Sequence, residues 1–159
     1  MELEAVIEIP RGSRNKYEMN YETGDIWLDR ELFTATRYPT DYGFVPETLA
    51  EDGDPLDILV IVDEPTFPGC HIKVRPLGVF WMRDEAGPDA KILSVPVDDP
   101  RWTGVEDLDG VPPFVLKEIE NFFEIYKTLE PGKTTTTGGW EGPARAADVI
   151  EDARRRHTG

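Results

Sequence analysis

Residues 51–62 read EDGDPLDILVIV, a loop crowded with acids that runs without pause into five consecutive apolar residues. The run Ile58 to Val62 is too short for a helix of ordinary length, rich in β-branched residues and bounded by turn formers. It reads as a strand buried on both faces. Upstream, Leu3, Ala5, Ile7 and Ile9 alternate with Glu2, Glu4, Val6 and Glu8, the period of a half-buried strand. Residues 15–20 and 26–30 flank Glu22-Thr23-Gly24-Asp25, a hairpin turn in which Gly24 supplies positive φ. Downstream, Ile72 to Met82 is a strand with a bulge or bend expected at Pro76 and Gly78, and Lys91 to Val97 is another. Many short strands cut by turn signals point to a small closed barrel rather than a parallel sheet.

After Pro112 the period changes. Val115, Ile119, Phe122, Tyr126 and Leu129 form one helix face, ended by Glu130-Pro131-Gly132. A second helix is expected from about Glu141–Pro143 to Arg154-Arg155-Arg156, whose charges suit a helix C-terminus. Lys133 to Gly139 (KTTTTGG) reads as a loop. No repeat or linker divides the chain, so residues 1–159 are expected to form one domain.

The chain carries 32 acids against 17 Lys and Arg, a formal charge of −15. Such a field repels nucleic acid and anionic lipid, and an oligonucleotide-binding barrel would need a basic groove instead. It also repels small polyanions unless cations stand between them and the acids. Cys70 is the only cysteine, which excludes an intrachain disulfide and a Cys-rich zinc site. The acidic N-terminus does not resemble a signal peptide, and no apolar run approaches the ~18 residues of a membrane span. A cytoplasmic location is the expectation.

Within the acidic loop, Asp52, Asp54 and Asp57 repel one another, so gathering them in a turn is costly unless a cation neutralises it. Hard divalent cations prefer oxygen ligands, and magnesium takes one or two carboxylates with water and phosphate. A solvated acidic turn is the plain alternative. Asp84-Glu85-Ala86-Gly87-Pro88-Asp89, closed by Lys91, reads alone as a polar hairpin loop; beside the first cluster, a shared metal site gains weight. Lys16 and Glu18 share a strand face and Arg30 ends the partner strand, either as a cross-strand salt bridge or as cationic donors for phosphate. Tyr38-Pro39-Thr40-Asp41-Tyr42-Gly43-Phe44 offers tyrosines that are core or hydroxyl donors, and packing is the default for Tyr126. With no Walker, HExxH, GxSxG or Rossmann pattern and only two histidines, chemistry must rest on carboxylates, Lys/Arg and Tyr. In so acidic a chain, that set suits metal-assisted phosphoryl chemistry.

DGDPLDI at 52–58 resembles the signature of the family I soluble inorganic pyrophosphatases. IEIPRGSRNKYE (7–18), LDR (28–30), YPTDYGF (38–44), RPLGV (75–79), DEAGPDAK (84–91) and FFEIYKTLEPGK (122–133) follow in the family's order. The resemblance covers nearly the whole chain and is nearest to the short bacterial enzymes, particularly the actinobacterial ones. It implies a five-stranded OB-like closed β-barrel with C-terminal helices packed on it, assembled as a homohexamer. It implies magnesium-dependent hydrolysis of pyrophosphate to two phosphates, with several Mg2+ per site and Mn2+ or Zn2+ as substitutes.

By the same resemblance, Asp52, Asp57 and Asp89 match carboxylates of a first magnesium, with Asp57 also reaching a second. Asp84 and Asp89 match ligands of a metal that arrives with substrate, and Glu8 matches a ligand or outer carboxylate of another. Lys16, Arg30, Tyr42, Tyr126 and Lys127 match phosphate-holding groups. Asp54 matches the general base, for which Asp89 is a second candidate. Glu18, Tyr38 and Lys91 match further active-site positions. The implied substrate is the magnesium–pyrophosphate complex, which reconciles the −15 charge with a polyanion. Thr134 to Thr137 depart from the aromatic or apolar residue often found after the matching lysine. The competing reading is a non-catalytic barrel that binds divalent cations or phosphate, and Asp54 separates the two, since a binding module has no use for a carboxylate aimed at water.

Overall fold

The computed structural model describes residues 1–159. Nine strands and two helices follow in order: β1 (Leu3–Ile9), β2 (Asn15–Met19), β3 (Ile26–Glu31), β4 (Asp41–Phe44), β5 (Asp57–Val60), β6 (His71–Asp84), β7 (Gly87–Pro88), β8 (Lys91–Pro96), α1 (Pro113–Ile125), β9 (Thr135–Glu141) and α2 (Pro143–Thr158). Two single-turn 3-10 helices, Pro100–Trp102 and Leu108–Gly110, lie between β8 and α1. Strands β1, β4, β5, β8 and β6 pair in that order, and β6 pairs back onto β1, so five strands close into a ring. Closure leaves the ring without an open edge. All contacts around it are antiparallel except β5 with β8.

The expected buried strand is β5, whose Ile58, Leu59 and Val60 are fully buried. Its two faces feed two separate cores. Ile58 and Val60 pack in a cluster with Ala146, Ile150 and Ala153 of α2. Leu59 packs with Ile119, Phe122 and Phe123 of α1. Strand β1 departs from the expected alternation: Glu4 points out, but Val6 and Glu8 are buried along with Ala5, Ile7 and Ile9. The strand runs between β4 and β6 inside a closed ring, and its register with β4 shifts between Ile7 and Ile9. That irregularity falls at Glu8. Bulges of this kind re-aim a side chain.

The hairpin turn forms as expected, with Gly24 at φ 79° and its N–H donating to the Asn20 carbonyl at 2.8 Å. The irregularity in β6 also falls where expected, between Pro76 and Gly78. Two further expectations need correction. KTTTTGG is not a loop throughout: Thr135, Thr136 and Thr137 pair with Asp84, Arg83 and Met82. β6 is 14 residues long and outruns its ring partners, and β-branched threonines suit the edge it leaves open. Leu129 is not on the helix face. The helix ends at Ile125, and Leu129 is 64% exposed in the turn beyond it.

Gly43 marks the tightest backbone approach. A Cβ there would lie 1.8 Å from the Val6 carbonyl oxygen, where β4 crosses β1. Gly43→Ala is therefore expected to cost about 1–3 kcal/mol or more, since backbone cannot yield as a side chain does. Urea unfolding measures this; an unchanged midpoint contradicts the close approach.

Candidate active site

One end of the ring opens on a cavity of about 330 Å³ whose wall includes eight carboxylates and five cationic side chains. Every ring strand except β6's interior, together with the hairpin, two loops and the end of α1, contributes. Of the fourteen residues that the sequence singles out, thirteen line it: Glu8 from the β1 irregularity, Lys16, Glu18 and Arg30 from the hairpin, Tyr42 from β4, Asp52, Asp54 and Asp57 before and at the start of β5, Asp84 and Asp89 around β7, Lys91 at the start of β8, and Tyr126 and Lys127 after α1. Tyr38 does not. It is buried one layer behind, its ring 5.5 Å from Tyr42 and 4.6 Å from Phe122.

Lys91 lies at the cavity floor, 1% exposed. Its Nζ donates to Asp57 Oδ2 at 2.9 Å, to Asp89 Oδ2 at 3.1 Å and to the Tyr42 hydroxyl at 2.7 Å. Burial alone lowers an amine's pKa, but here the two carboxylates outweigh it and hold the ammonium well above its ordinary value. The carboxyl of Asp89 is raised, because burial outweighs the attraction of Lys91 and Asp57 repels it.

Glu8 is 5% exposed, and the Met19 N–H donates to its Oε2 at 2.9 Å. Burial pushes its carboxyl up to about 7 despite that hydrogen bond. Asp52 is raised too, chiefly by burial. It accepts from the Asp54 N–H at 3.0 Å across Gly53, which stands at φ 91° and so lets the chain turn back between two acids. Asp54 itself is exposed to the cavity with no partner for its carboxylate in the chain.

The hairpin does not carry the simple salt bridge weighed above. Lys16 and Arg30 are cross-strand partners, and the register then shifts so that Asp29 falls opposite no residue of β2. Asp29 bridges both cations, at 3.3 Å from Lys16 Nζ and in a very short contact with Arg30. Burial works against its charge, but these two cations hold its carboxyl below the usual range. Arg30 also meets Glu130, Nε to Oε1 at 2.9 Å. Across the cavity, Lys127 Nζ stands 3.6 Å from Asp84 and 3.5 Å from Glu85. Tyr126 both packs and faces the site: it is 5% exposed, its ring lies against Phe122 and Phe123, and it lines the cavity. Burial raises the hydroxyls of Tyr42 and Tyr126, so both remain protonated donors near neutrality.

Sequence reasoning missed four lining residues with polar groups: Tyr17, Tyr21, Asp29 and Lys133. Tyr17, Asp29 and Lys133 lie inside motifs quoted above and were readable there; Tyr21 sits in the hairpin turn, and its position follows only from the fold. Asp41 belongs to the YPTDYGF motif yet faces away from the cavity. Fully buried, it accepts from the Arg11 N–H at 2.8 Å and the Thr66 hydroxyl at 2.6 Å, tying two loops together.

The chain that builds this cavity of acids, cations and tyrosine hydroxyls matches the family model for inorganic pyrophosphatase over residues 5–158. The chain belongs to the inorganic pyrophosphatase family. It is 58% identical over 156 residues to an inorganic pyrophosphatase of Streptomyces coelicolor, covering 98% of this chain and 96% of the relative. To that of Leifsonia xyli it is 56% identical over 148 residues, 93% of this chain and 91% of the other. The crystal structure of the Thermus thermophilus inorganic pyrophosphatase superposes with a TM-score of 0.96 at 46% identity, covering 99% of this chain and 92% of that one. The Helicobacter pylori enzyme gives 0.97 at 42%, covering 99% and 94%. The ring of five strands is thus the OB-like arrangement that the resemblance implies, and the chain is a hydrolase, an inorganic diphosphatase.

Glu8 generates a pH dependence. Below pH about 4.5 it is protonated both folded and unfolded; between 4.5 and about 7 only the folded chain keeps the proton. Folding then binds a proton, so stability falls as pH rises through this window, by about 3 kcal/mol at most. In chelator-treated protein, Glu8→Gln is expected to remove this part of the decline. Urea unfolding at pH 5 and pH 7.5 measures it, and an equal decline in the variant contradicts the assignment.

Proposed function

We propose that this diphosphatase hydrolyses pyrophosphate as its magnesium complex, with magnesium ions held by Asp52, Asp57, Asp84, Asp89 and Glu8. The observation that carries the reading is the cavity's charge pattern: acids outnumber cations in a site whose substrate is itself a polyanion. Magnesium takes one or two carboxylates with water and substrate phosphate rather than an all-protein cage, so these acids can hold it without converging on one point. Burial, with a smaller contribution from neighbouring carboxylates, raises the carboxyls of Glu8, Asp52 and Asp89, and a bound divalent cation would favour their charged forms. When bound, the divalent cation makes water more acidic and neutralises phosphate charge, and manganese or zinc can replace magnesium in that role.

The chain's own groups do the rest. Lys16, Arg30 and Lys127 bind the phosphate oxygens and stabilise the charge that builds on them as the bridging P–O bond breaks. Tyr42 and Tyr126 donate from hydroxyls that burial keeps protonated. Asp54 takes the proton of the attacking water. Its lack of a partner in the chain favours it over Asp89, which is already engaged by Lys91. Lys91 holds Asp57 and Asp89 in place, Tyr38 backs Tyr42, and Glu18 shapes the hairpin wall. The reading extends to one domain over residues 1–159, a cytoplasmic enzyme and a homohexamer. For assembly, Trp27, Leu28 and Phe33, each more than half exposed, offer apolar surface that neighbouring copies would cover.

Phosphate release from pyrophosphate, after chelator treatment and magnesium add-back, tests the reading, with ATP and a simple phosphomonoester alongside. Release that depends on magnesium and favours pyrophosphate is expected. Asp54→Asn is expected to lower kcat by about 100-fold or more while magnesium binding, read by calorimetry, persists. Cation-independent release contradicts the metal reading, and near-full activity of Asp54→Asn moves the base to Asp89.

A further inference from the structure

Glu130 lies outside the cavity wall, in the turn that follows α1, and is 7% exposed. Its Oε1 is 2.9 Å from Arg30 Nε, and Arg30 is its only ionic partner. Its Oε2 is buried with no donor at all. The Arg30 contact is an ion pair rather than an aligned hydrogen bond. A buried ion pair of this kind contributes little net stability, because desolvating both charges offsets their attraction. Stability alone does not account for a carboxylate placed here.

The pair also spans two elements that otherwise have little in common. Arg30 is the penultimate residue of β3 in a two-stranded hairpin, and isolated hairpins are marginal in water. Glu130 sits between Lys127 and Lys133, with its N–H donating to the Lys127 carbonyl at 2.9 Å and its carbonyl accepting from the Lys133 N–H at 3.3 Å. Both lysines line the cavity, as does Arg30. Asp29 takes Nη1 of Arg30 and Glu130 takes Nε, which leaves Nη2 without a partner in the chain. With a hydrogen bond to Asp29 at Nη1 and the Glu130 charge beside Nε, the guanidinium is confined from two sides while Nη2 stays available.

We infer that Glu130 is a positioning residue for the reaction: it aims the Arg30 guanidinium into the cavity and sets the hairpin's cation at a fixed distance from Lys127. The inference rests on the reading of Arg30 as a phosphate-holding group. Glu130 does not touch substrate and acts only through Arg30. Misplacing a positioned group by about an ångström costs up to about 100-fold in rate, so Glu130→Gln, which keeps the shape and removes the charge, is expected to lower kcat/KM by about 10- to 100-fold.

A double-mutant cycle on kcat/KM for pyrophosphate tests this, using Arg30→Ala, Glu130→Gln and the two together. The expected result is that Glu130→Gln costs activity in the native background and nothing further once Arg30 is gone. If its effect persists in the Arg30→Ala background, Glu130 acts by shaping the turn that carries Lys127, and the inference is overturned. A Glu130→Gln variant as active as the native enzyme overturns it as well. If Arg30→Ala itself leaves kcat/KM unchanged, the phosphate-holding role of Arg30 fails and the inference fails with it, an outcome distinct from the other two. Should Glu130→Gln not fold, Glu130→Asp, which keeps the charge and withdraws the oxygens by one methylene, goes through the same cycle with the same outcomes.

Discussion

Lys91 carries its ammonium to a floor where 1% of the residue stays exposed, and it is tolerated there because Asp57, Asp89 and Tyr42 receive it. An unpaired ammonium at this depth would cost several kcal/mol. The pairing therefore constrains the fold around it. Asp57 and Lys91 are register partners on the parallel strands β5 and β8, and Tyr42 sits on the neighbouring β4. One charge thus pins three of the five ring strands in register at the end that opens on the cavity. The same ammonium lies 5.0 Å from the Tyr42 ring and 5.1 Å from that of Phe123, which extends the constraint to α1.

From that floor the site's electrostatics follow. Lys91 satisfies one oxygen each of Asp57 and Asp89, and the other acids on the wall face cations that are largely engaged already: Lys16 and Arg30 with Asp29, Lys127 with Asp84 and Glu85. Burial on the same wall raises the carboxyls of Glu8, Asp52 and Asp89. Such a cavity is poised for added positive charge and hostile to a bare polyanion, which is the balance expected of a site whose substrate arrives with a divalent cation.

Much of this was legible in the sequence because local rules and chemistry agreed. Gly53 and Pro55 around three aspartates signalled a sharp acidic turn, and Ile58 to Val62 signalled the strand that positions it. What escaped were features set by the closed ring rather than by the local period. Val6 and Glu8 read as the outer face of β1, but the strand is flanked by β4 and β6 and covered on both sides. Lys133 to Gly139 read as a loop, yet Thr135 to Thr137 pair with the far end of β6 as a strand. Tyr38 resembled a site residue by motif and proved to stand behind Tyr42. Glu130 read only as part of a helix stop, since nothing in the local pattern told of an arginine a hundred positions away in sequence.

The central claim, that this acidic cavity is completed by divalent cations at Asp52, Asp57 and Asp89, is tested most directly by anomalous diffraction from crystals of the protein soaked with manganese. The account predicts anomalous peaks inside the cavity, within ligand distance (about 2.2 Å) of carboxylate oxygens of those residues. Manganese absent from the cavity at saturating concentration, or bound only at other acids on the surface, would contradict it.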